Sequence, residues 1–312
     1  MNNLNLDEQP ACIETMLKTI KVDLLKIALK EGDYETLYPA VTVHRRNSPT
    51  DTIPCIYEMG LAVTISGQKQ VSLGNTVFNY SAGQALLASV DLPVISRVTE
   101  ANDQEPYLGI MIRLEPHLVM QVVNQMVLPP TPKSGKQVGL EHGTLDSKLL
   151  NAVLRMVEAL SQPELLEIIA PLIQQEIIAR LLLSEKGQNF IQLHASASPS
   201  RQIAKTLAWL KVNYAKPINI ETLAENAHMS PTTFRQHFRS VSGMSPLQYL
   251  KNLRLQEARQ IMLNEGVDAG QAGLGVGYES VSQFSREYAR LFGLPPSKDI
   301  KALQAEILQG AI

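Results

Sequence analysis

Five polar side chains fall at helical spacing between Ser230 and Gly243: Thr232, Thr233, Arg235, Gln236 and Arg239. Hydroxyl, amide and guanidinium donors on one helix face suit the acceptors of base edges and phosphates in the major groove of duplex DNA. A solvated surface helix of any all-helical domain can carry the same residue types, and short motifs of this kind have many chance matches. What separates the two readings is whether neighbouring elements would hold these donors outward.

Such elements are written on either side. Asn219 is a good N-cap for a first helix carrying Leu223 and Ala224, and the small Ala224 lets a second helix cross closely above it. A turn follows at residues 226–229. Ser230 then caps the second helix, with Pro231 at its first position, where a missing N–H costs nothing. Phe234 and Phe238, four residues apart, point inward together. A weaker second copy reads as a helix and turn over residues 268–278 and a second helix over 280–292, with Phe284 and Tyr288 repeating the aromatic pair. Between the copies, Ser245 and Pro246 open a helix reaching Leu263, with Leu250, Leu253, Ala258, Ile261 and Met262 on its buried side. At about 1.5 Å per residue this connector is roughly 27 Å long, so the two outer helices could enter successive major-groove faces about 34 Å apart.

Residues 203–300, roughly a third of the chain, resemble the DNA-binding domain of the AraC/XylS family of bacterial transcription regulators, in which a long helix joins two helix-turn-helix units. The residues carrying the resemblance are Leu223-Ala224, Met229-Ser230, Phe234, Phe238, Gly243, Ser245-Pro246, Arg254-Leu255, Ala258, Gly277-Tyr278, the run from Phe284 to Gly293, and Pro296. The resemblance implies that Thr232, Arg235 and Gln236 in the first unit, and Val281, Ser282 and Arg286 in the second, read bases. It also implies that Arg239 and Arg290 hold phosphates. One stretch departs from the family: the helix before the second turn carries Ala269, Gly270, Ala272, Gly273 and Gly275 where Ile and Ala are usual. Each glycine costs a helix about 0.8 to 1 kcal/mol relative to alanine, so the second unit is predicted to be the softer one.

The 312 residues allow about two domains, and 45% hydrophobic with 19% charged residues excludes a disordered chain. A net charge of -2 hides an asymmetry: from residue 195 onward there are 13 Lys and Arg against 9 Asp and Glu, leaving 15 against 21 before it. The C-terminal part is therefore +4 and the N-terminal part -6, which places the phosphate-binding expectation in the former. No opening basic and apolar run reads as a signal peptide, and no apolar run reaches the 18 or so residues of a membrane span, so the expected location is cytoplasmic, without a membrane partner. Cys12 and Cys55 form no metal-binding spacing and are expected to be free thiols.

Residues 14–30 carry Leu17, Ile20, Leu24, Ile27 and Ala28 at helical spacing, predicting an amphipathic helix that either lies on the following domain or forms a mobile arm. From about Leu37 to Leu114 the period becomes two. Cys55, Tyr57, Met59, Leu61, Val63 and Ile65 predict one face of a long strand. Further strands are expected over residues 41–46, 69–73, 76–80, 85–89, 94–99 and 107–114, making a small barrel or sandwich. This segment resembles the cupin-like N-terminal domain of a subgroup of the same family, through Val43 to Arg46, Pro54 to Glu58, Gly67-Gln68-Lys69, Tyr80 to Gln84 and Pro106 to Gly109. The resemblance implies a pocket for a small effector. Strand parity nominates Cys55, Tyr57 and Met59 for it, with Arg45 or Arg97 as anion partners; packing or surface roles are the alternative for each. Enzymatic cupins hold a metal with a His-x-His pair, a Glu and another His. Here His44 is the only histidine before His117, so no metal site and no cofactor is expected.

Helical period returns over residues 144–183. Leu149, Val153, Val157 and Leu160 form one stripe, a break is predicted over 163–170, and Leu172, Ile173, Ile177, Ile178, Leu181 and Leu182 then cover more than half of a second helix. Such a wide apolar surface is expected to sit between the barrel and another subunit, as the resemblance also implies; a two-sided core helix is the alternative. Residues 188–198 read as a linker. The whole is an α+β chain: residues 1–190 form a cupin-like β-barrel with dimerisation helices, and 191–312 an all-α domain with two helix-turn-helix units joined by a long helix. The function this implies is a non-enzymatic, effector-controlled regulator binding promoter DNA as a homodimer, with RNA polymerase as a further contact. The alternatives are a ligand-independent dimeric regulator and a metal-dependent cupin enzyme with a DNA-binding appendage.

Overall fold

The computed structural model describes residues 8–127, 138–184, 187–194 and 198–308. The first helix, α1 (Glu8–Ile27), precedes nine strands: β1 (Gly32–Glu35), β2 (Val41–Arg46), β3 (Ile53–Tyr57), β4 (Gly60–Ser66), β5 (Gln68–Leu73), β6 (Thr76–Ser81), β7 (Gln84–Ala88), β8 (Leu92–Glu100) and β9 (Tyr107–Arg113). Helix α2 (Pro116–Gln125), strand β10 (Leu140–Thr144) and helices α3 (Ser147–Ala159), α4 (Pro163–Leu183) and α5 (Gly187–His194) complete this part. The C-terminal part is helical: α6 (Pro199–Asn213), α7 (Ile220–Asn226), α8 (Pro231–Ser242), α9 (Pro246–Glu265), α10 (Ala269–Gly275), α11 (Val281–Phe292) and α12 (Pro296–Leu308). Among the described residues no helix is long and apolar enough to cross a membrane.

The strands form two antiparallel sheets, one in the order β1-β2-β9-β4-β7-β10 and the other β3-β8-β5-β6. The expected single strand through residues 55–65 is two strands, because β3 pairs with β8 in the smaller sheet whereas β4 pairs with β7 and β9 in the larger. The chain changes sheets at Glu58 and Met59, and the alternation changes face there. Cys55 and Tyr57 pack between the sheets, while Met59, Leu61, Val63 and Ile65 join the core beneath the helices. Gly60 permits the crossing: a Cβ there would lie 2.6 Å from the Ile112 carbonyl oxygen. Strands β1 and β10, short and rich in polar residues, have no clear period-two signal.

Helices α1, α3 and α4 cover the outer face of the larger sheet. Met16, Ile20, Leu24 and Ala28 are buried, so α1 lies on the domain. Helix α4 runs unbroken from Pro163 through Pro171, where a break was expected, since Pro163 occupies the first turn and needs no N–H donor. Its wide apolar surface is buried within the chain itself, with Ile173, Ile177, Ile178, Leu181 and Leu182 in the same core as α3 and Phe190 of α5. What remains outside is a narrower stripe of Leu165, Ile168 and Leu172, 42%, 67% and 60% exposed, with Leu183 exposed separately at the last residue of the helix. Glu176 lies between Arg155 at 2.5 Å and Arg180 at 2.7 Å. The expected linker contains helix α5, whose Phe190, Ile191 and Leu193 are buried.

A second core continues from the barrel into the first helix-turn-helix unit, joining Val71, Leu73 and Leu92 to Leu207, Phe238, Val241 and Tyr249. A third, of Leu255, Met262, Val276, Phe284 and Tyr288, belongs to the second unit. Gly273 is packed there, since a Cβ would sit 2.9 Å from the Phe284 ring. The glycine that propensity counts as a weakness gives α10 and α11 their close approach, so the predicted softness of the second unit has a packing term against it.

Candidate nucleic-acid interface and effector cavity

Each outer helix is fixed by the same devices. In the first unit the Asn219 carboxamide oxygen accepts from the Glu221 N–H at 2.7 Å, and Leu223 and Ala224 are buried. The turn passes through His228 in the left-handed region, φ 56°, and the Ser230 hydroxyl accepts from the Thr233 N–H to start α8. Phe234 and Phe238 are fully buried with ring centroids 5.6 Å apart, and Phe238 meets Tyr249 of α9 edge-on. Anchored on that side, α8 leaves Thr232, Thr233, Arg235, Gln236 and Arg239 exposed. Arg235 reaches Glu221 at 3.1 Å, an exposed pair that holds it weakly.

In the second unit Asp268 and Ser280 cap α10 and α11 through the Gln271 and Gln283 N–H groups. Phe284 and Tyr288 are buried 5.6 Å apart, and the Tyr288 hydroxyl donates to Asp299 at 2.6 Å. The Arg259 guanidinium donates to both oxygens of Asp299, at 2.8 and 2.9 Å, fixing α12 on α9. Val281, Ser282, Arg286 and Arg290 are exposed. Helix α9, 20 residues and therefore about 30 Å long, joins the units. Arg254 on it donates to the carbonyls of Tyr214, Lys216 and Gly277, bracing both ends of the domain.

Between the two sheets lies a cavity of about 290 Å³. Cys55, Tyr57 and Arg97 line it, as parity suggested, whereas Arg45 and Met59 do not. Arg45 instead donates to the Ala28 and Leu29 carbonyls after α1, and Met59 lies on the far side of the sheet crossing. Residues missed by the sequence reading take their place: Lys69, Tyr107, His44 and Arg46. Lys69 was recognisable as the charged residue on the face of β5 that also carries buried Val71 and Leu73. Desolvation alone would lift the Asp33 carboxyl, but the hydrogen bond and charge of His44 and the Arg46 guanidinium hold it well below the usual range. Burial pushes the Cys55 thiol up, so it is not a reactive thiolate at neutral pH. Burial likewise pushes the Tyr57 and Tyr80 phenols well above their ordinary value.

The cavity wall continues directly into the domain contact. Glu58, next to Tyr57, accepts from Lys211 of α6 at 2.8 Å and from Arg113 at 3.4 Å. Lys211 also pairs with Asp91 at 2.6 Å, and the Asp91 carbonyl accepts from the Tyr249 hydroxyl of α9 at 2.9 Å. Desolvation opposes both charges, yet Lys211 and Arg113 hold Glu58 below its usual range, and Asp91 with Glu58 raises Lys211. A cleft of about 640 Å³ lies beside this contact, with Lys211, Arg113 and His194 in its wall already paired.

This architecture, a two-sheet domain packed on a pair of helix-turn-helix units, has relatives. Residues 37–189 match the AraC-type transcriptional regulator N-terminus family, and residues 223–302 match a helix-turn-helix domain family. The chain belongs to the AraC-type transcriptional regulators. It is 43% identical over 79 residues to the RCS-specific HTH-type transcriptional activator RclR of Escherichia coli, covering 25% of this chain and 28% of that protein. It is 25% identical over 152 residues to the thermoregulatory protein LcrF of Yersinia pestis, covering 48% and 55%. The chain thus spans between about a quarter and about half the length of these relatives. The crystal structure of unsaturated fatty acid bound ToxT from Vibrio cholerae shares the fold over 83% of this chain and 94% of that one, with a TM-score of 0.57 and 13% identity.

Proposed function

We propose that the protein is a sequence-specific, non-enzymatic transcription regulator that binds promoter DNA through α8 and α11 and is controlled by a small molecule in the barrel cavity. The observation that carries this reading is the pair of outer helices, each pinned by a buried aromatic pair and leaving its polar face free. Thr232, Arg235 and Gln236 on α8, flanked by Thr233, and Val281 and Ser282 on α11 are the proposed base readers; Arg239, Arg286 and Arg290 hold phosphates. Transcriptional activation by the relatives, and the fatty acid of ToxT, support the same reading. The domains divide near residue 190, within α5. A homodimer in the cytoplasm, contacting RNA polymerase, completes the proposal. Its interface is the exposed Leu165, Ile168 and Leu172 stripe of α4 rather than the buried Ile177 face.

The test is a gel-shift titration of the full chain against its promoter DNA. Each neutralised phosphate contributes about -0.9 to the slope of log affinity against log salt, so several contacts give a slope of several units. A flat response would count against DNA binding by these helices.

Control requires that the ligand favour one arrangement of the domains over another. Glu58 is the proposed transmitter, because it adjoins the cavity residue Tyr57 and holds Lys211 of α6. Lys211→Met is expected to release α6 from Glu58 and Asp91 and to change full-chain DNA affinity several-fold, within the roughly 5- to 150-fold range of such couplings. Asp91→Asn should act in the same direction. Unchanged affinity in both variants, with unchanged protease sensitivity between the domains, would remove Glu58 from this role.

A further inference from the structure

Lys69 presents a charge without a counterion. Its ammonium stands over the Tyr57 and Tyr107 rings, 5.4 and 5.6 Å from their centroids. Among the described residues it makes no hydrogen bond and no ion pair. Desolvation works against the charge, which the Asp33 carboxylate and the faces of the two rings favour, and the lysine lies above its ordinary pKa. Asp33 is already committed to His44 at 2.7 Å and to Arg46 at 2.9 Å. Arg97 donates to Gln70 at 2.8 Å. Lys69 is half-buried, and a partly desolvated cation is costly unless paired; the aromatic faces compensate only in part.

The remaining wall defines what could pair with it. Ile53, Ile56, Val63, Val98 and Ile110 are aliphatic, and the rings of Tyr57 and Tyr107 flank the ammonium. A volume of about 290 Å³ is at the small end of ligand cavities, which run from about 300 to 1,000 Å³. A phosphate dianion would need several converging donors, and a planar guanidinium fork serves it best; Lys69 is a single point charge. We infer that the cavity takes a small monocarboxylate, its head group on Lys69 and its apolar body between the tyrosine rings and the aliphatic wall. This deepens the proposed effector site and rests on that reading.

The test uses the full chain and three acids, benzoate, 3-phenylpropionate and hexanoate, each against its neutral amide, with binding read by calorimetry and thermal shift. At least one acid should bind 10-fold or more tighter than its amide. Lys69→Met should remove that acid's binding 10-fold or more while the unliganded melting temperature holds or rises, because a cation without a counterion has been replaced. A purely structural lysine would lower the melting temperature instead. Should the variant fail to fold, the comparison of acid with amide on the unaltered protein still decides. Equal binding of acids and amides, or acid binding that survives Lys69→Met, overturns the carboxylate inference and leaves the cavity as an effector site. Failure of every acid and every amide to bind overturns both the inference and the effector reading.

Discussion

Replacing Ile177 and Leu181 together with Glu is expected to unfold the N-terminal half rather than release monomers. Ile177 is 0% and Leu181 3% exposed, and both lie in the core with Ile173, Ile178 and Leu182 against α3 and α5. Among the described residues no basic side chain is buried that could pair with new carboxylates, so each substitution exchanges an apolar contact for an unpaired buried polar group, at several kcal/mol. Two such costs approach the whole stability of a domain, about 5 to 15 kcal/mol. Far-ultraviolet circular dichroism should lose the native signal, or the urea midpoint should collapse. Ile168→Glu with Leu172→Glu is the informative partner experiment. Those side chains are 67% and 60% exposed, one helical turn apart, so the fold should survive and sedimentation should report monomers. A folded, dimeric Ile168/Leu172 variant places the interface elsewhere, and a folded, monomeric Ile177/Leu181 variant contradicts the core assignment.

How far the chain was legible follows from how local each signal is. The helix-turn-helix units could be read almost to the residue because caps and turns are encoded within a few positions: Asn219, Ser230 and Ser245 all cap as their types predict. Strand parity is a longer-range inference and failed where the chain changed sheets. Tyr57 and Met59 keep the same spacing in sequence on either side of a bend that sends them to different cores. Arg45 fails for a different reason, since on β2 it has the face opposite to Arg46; the alternative Arg97 does line the cavity, and Lys69 sits on a strand whose buried parity was not followed. Apolar width on α4 was real but ambiguous, since periodicity cannot tell burial by α3 and α5 from burial by a second copy. Gly273 carries the most general lesson. Propensity assigns every helical glycine a cost, and only the Phe284 ring above it reveals what that cost permits.

Arg235→Ala and Arg286→Ala are expected to fail in different ways on DNA. With Gly273 serving close packing, the difference between the units rests on the side chains they offer. Helix α8 presents Arg235 beside Gln236, two residues able to make bidentate contacts with purine edges, whereas α11 presents Val281 and Ser282 ahead of Arg286. The exposed contact of Arg235 with Glu221 is weak enough to be given up for a base. Arg235→Ala should therefore cost about 1 to 3 kcal/mol on the best operator and flatten the preference at one or two base pairs. Arg286→Ala should behave as the loss of a phosphate contact, weakening all sequences by a similar factor and lowering the salt slope by about one. Neither side chain is part of a core, so both variants should keep the parent melting temperature. Selection from a randomised operator library, with each variant in turn, measures the two effects directly. If Arg286→Ala relaxes specificity as much as Arg235→Ala does, the units share the reading equally, and the firm seat that Phe284 and Tyr288 give α11 is then put to the same use as that of α8.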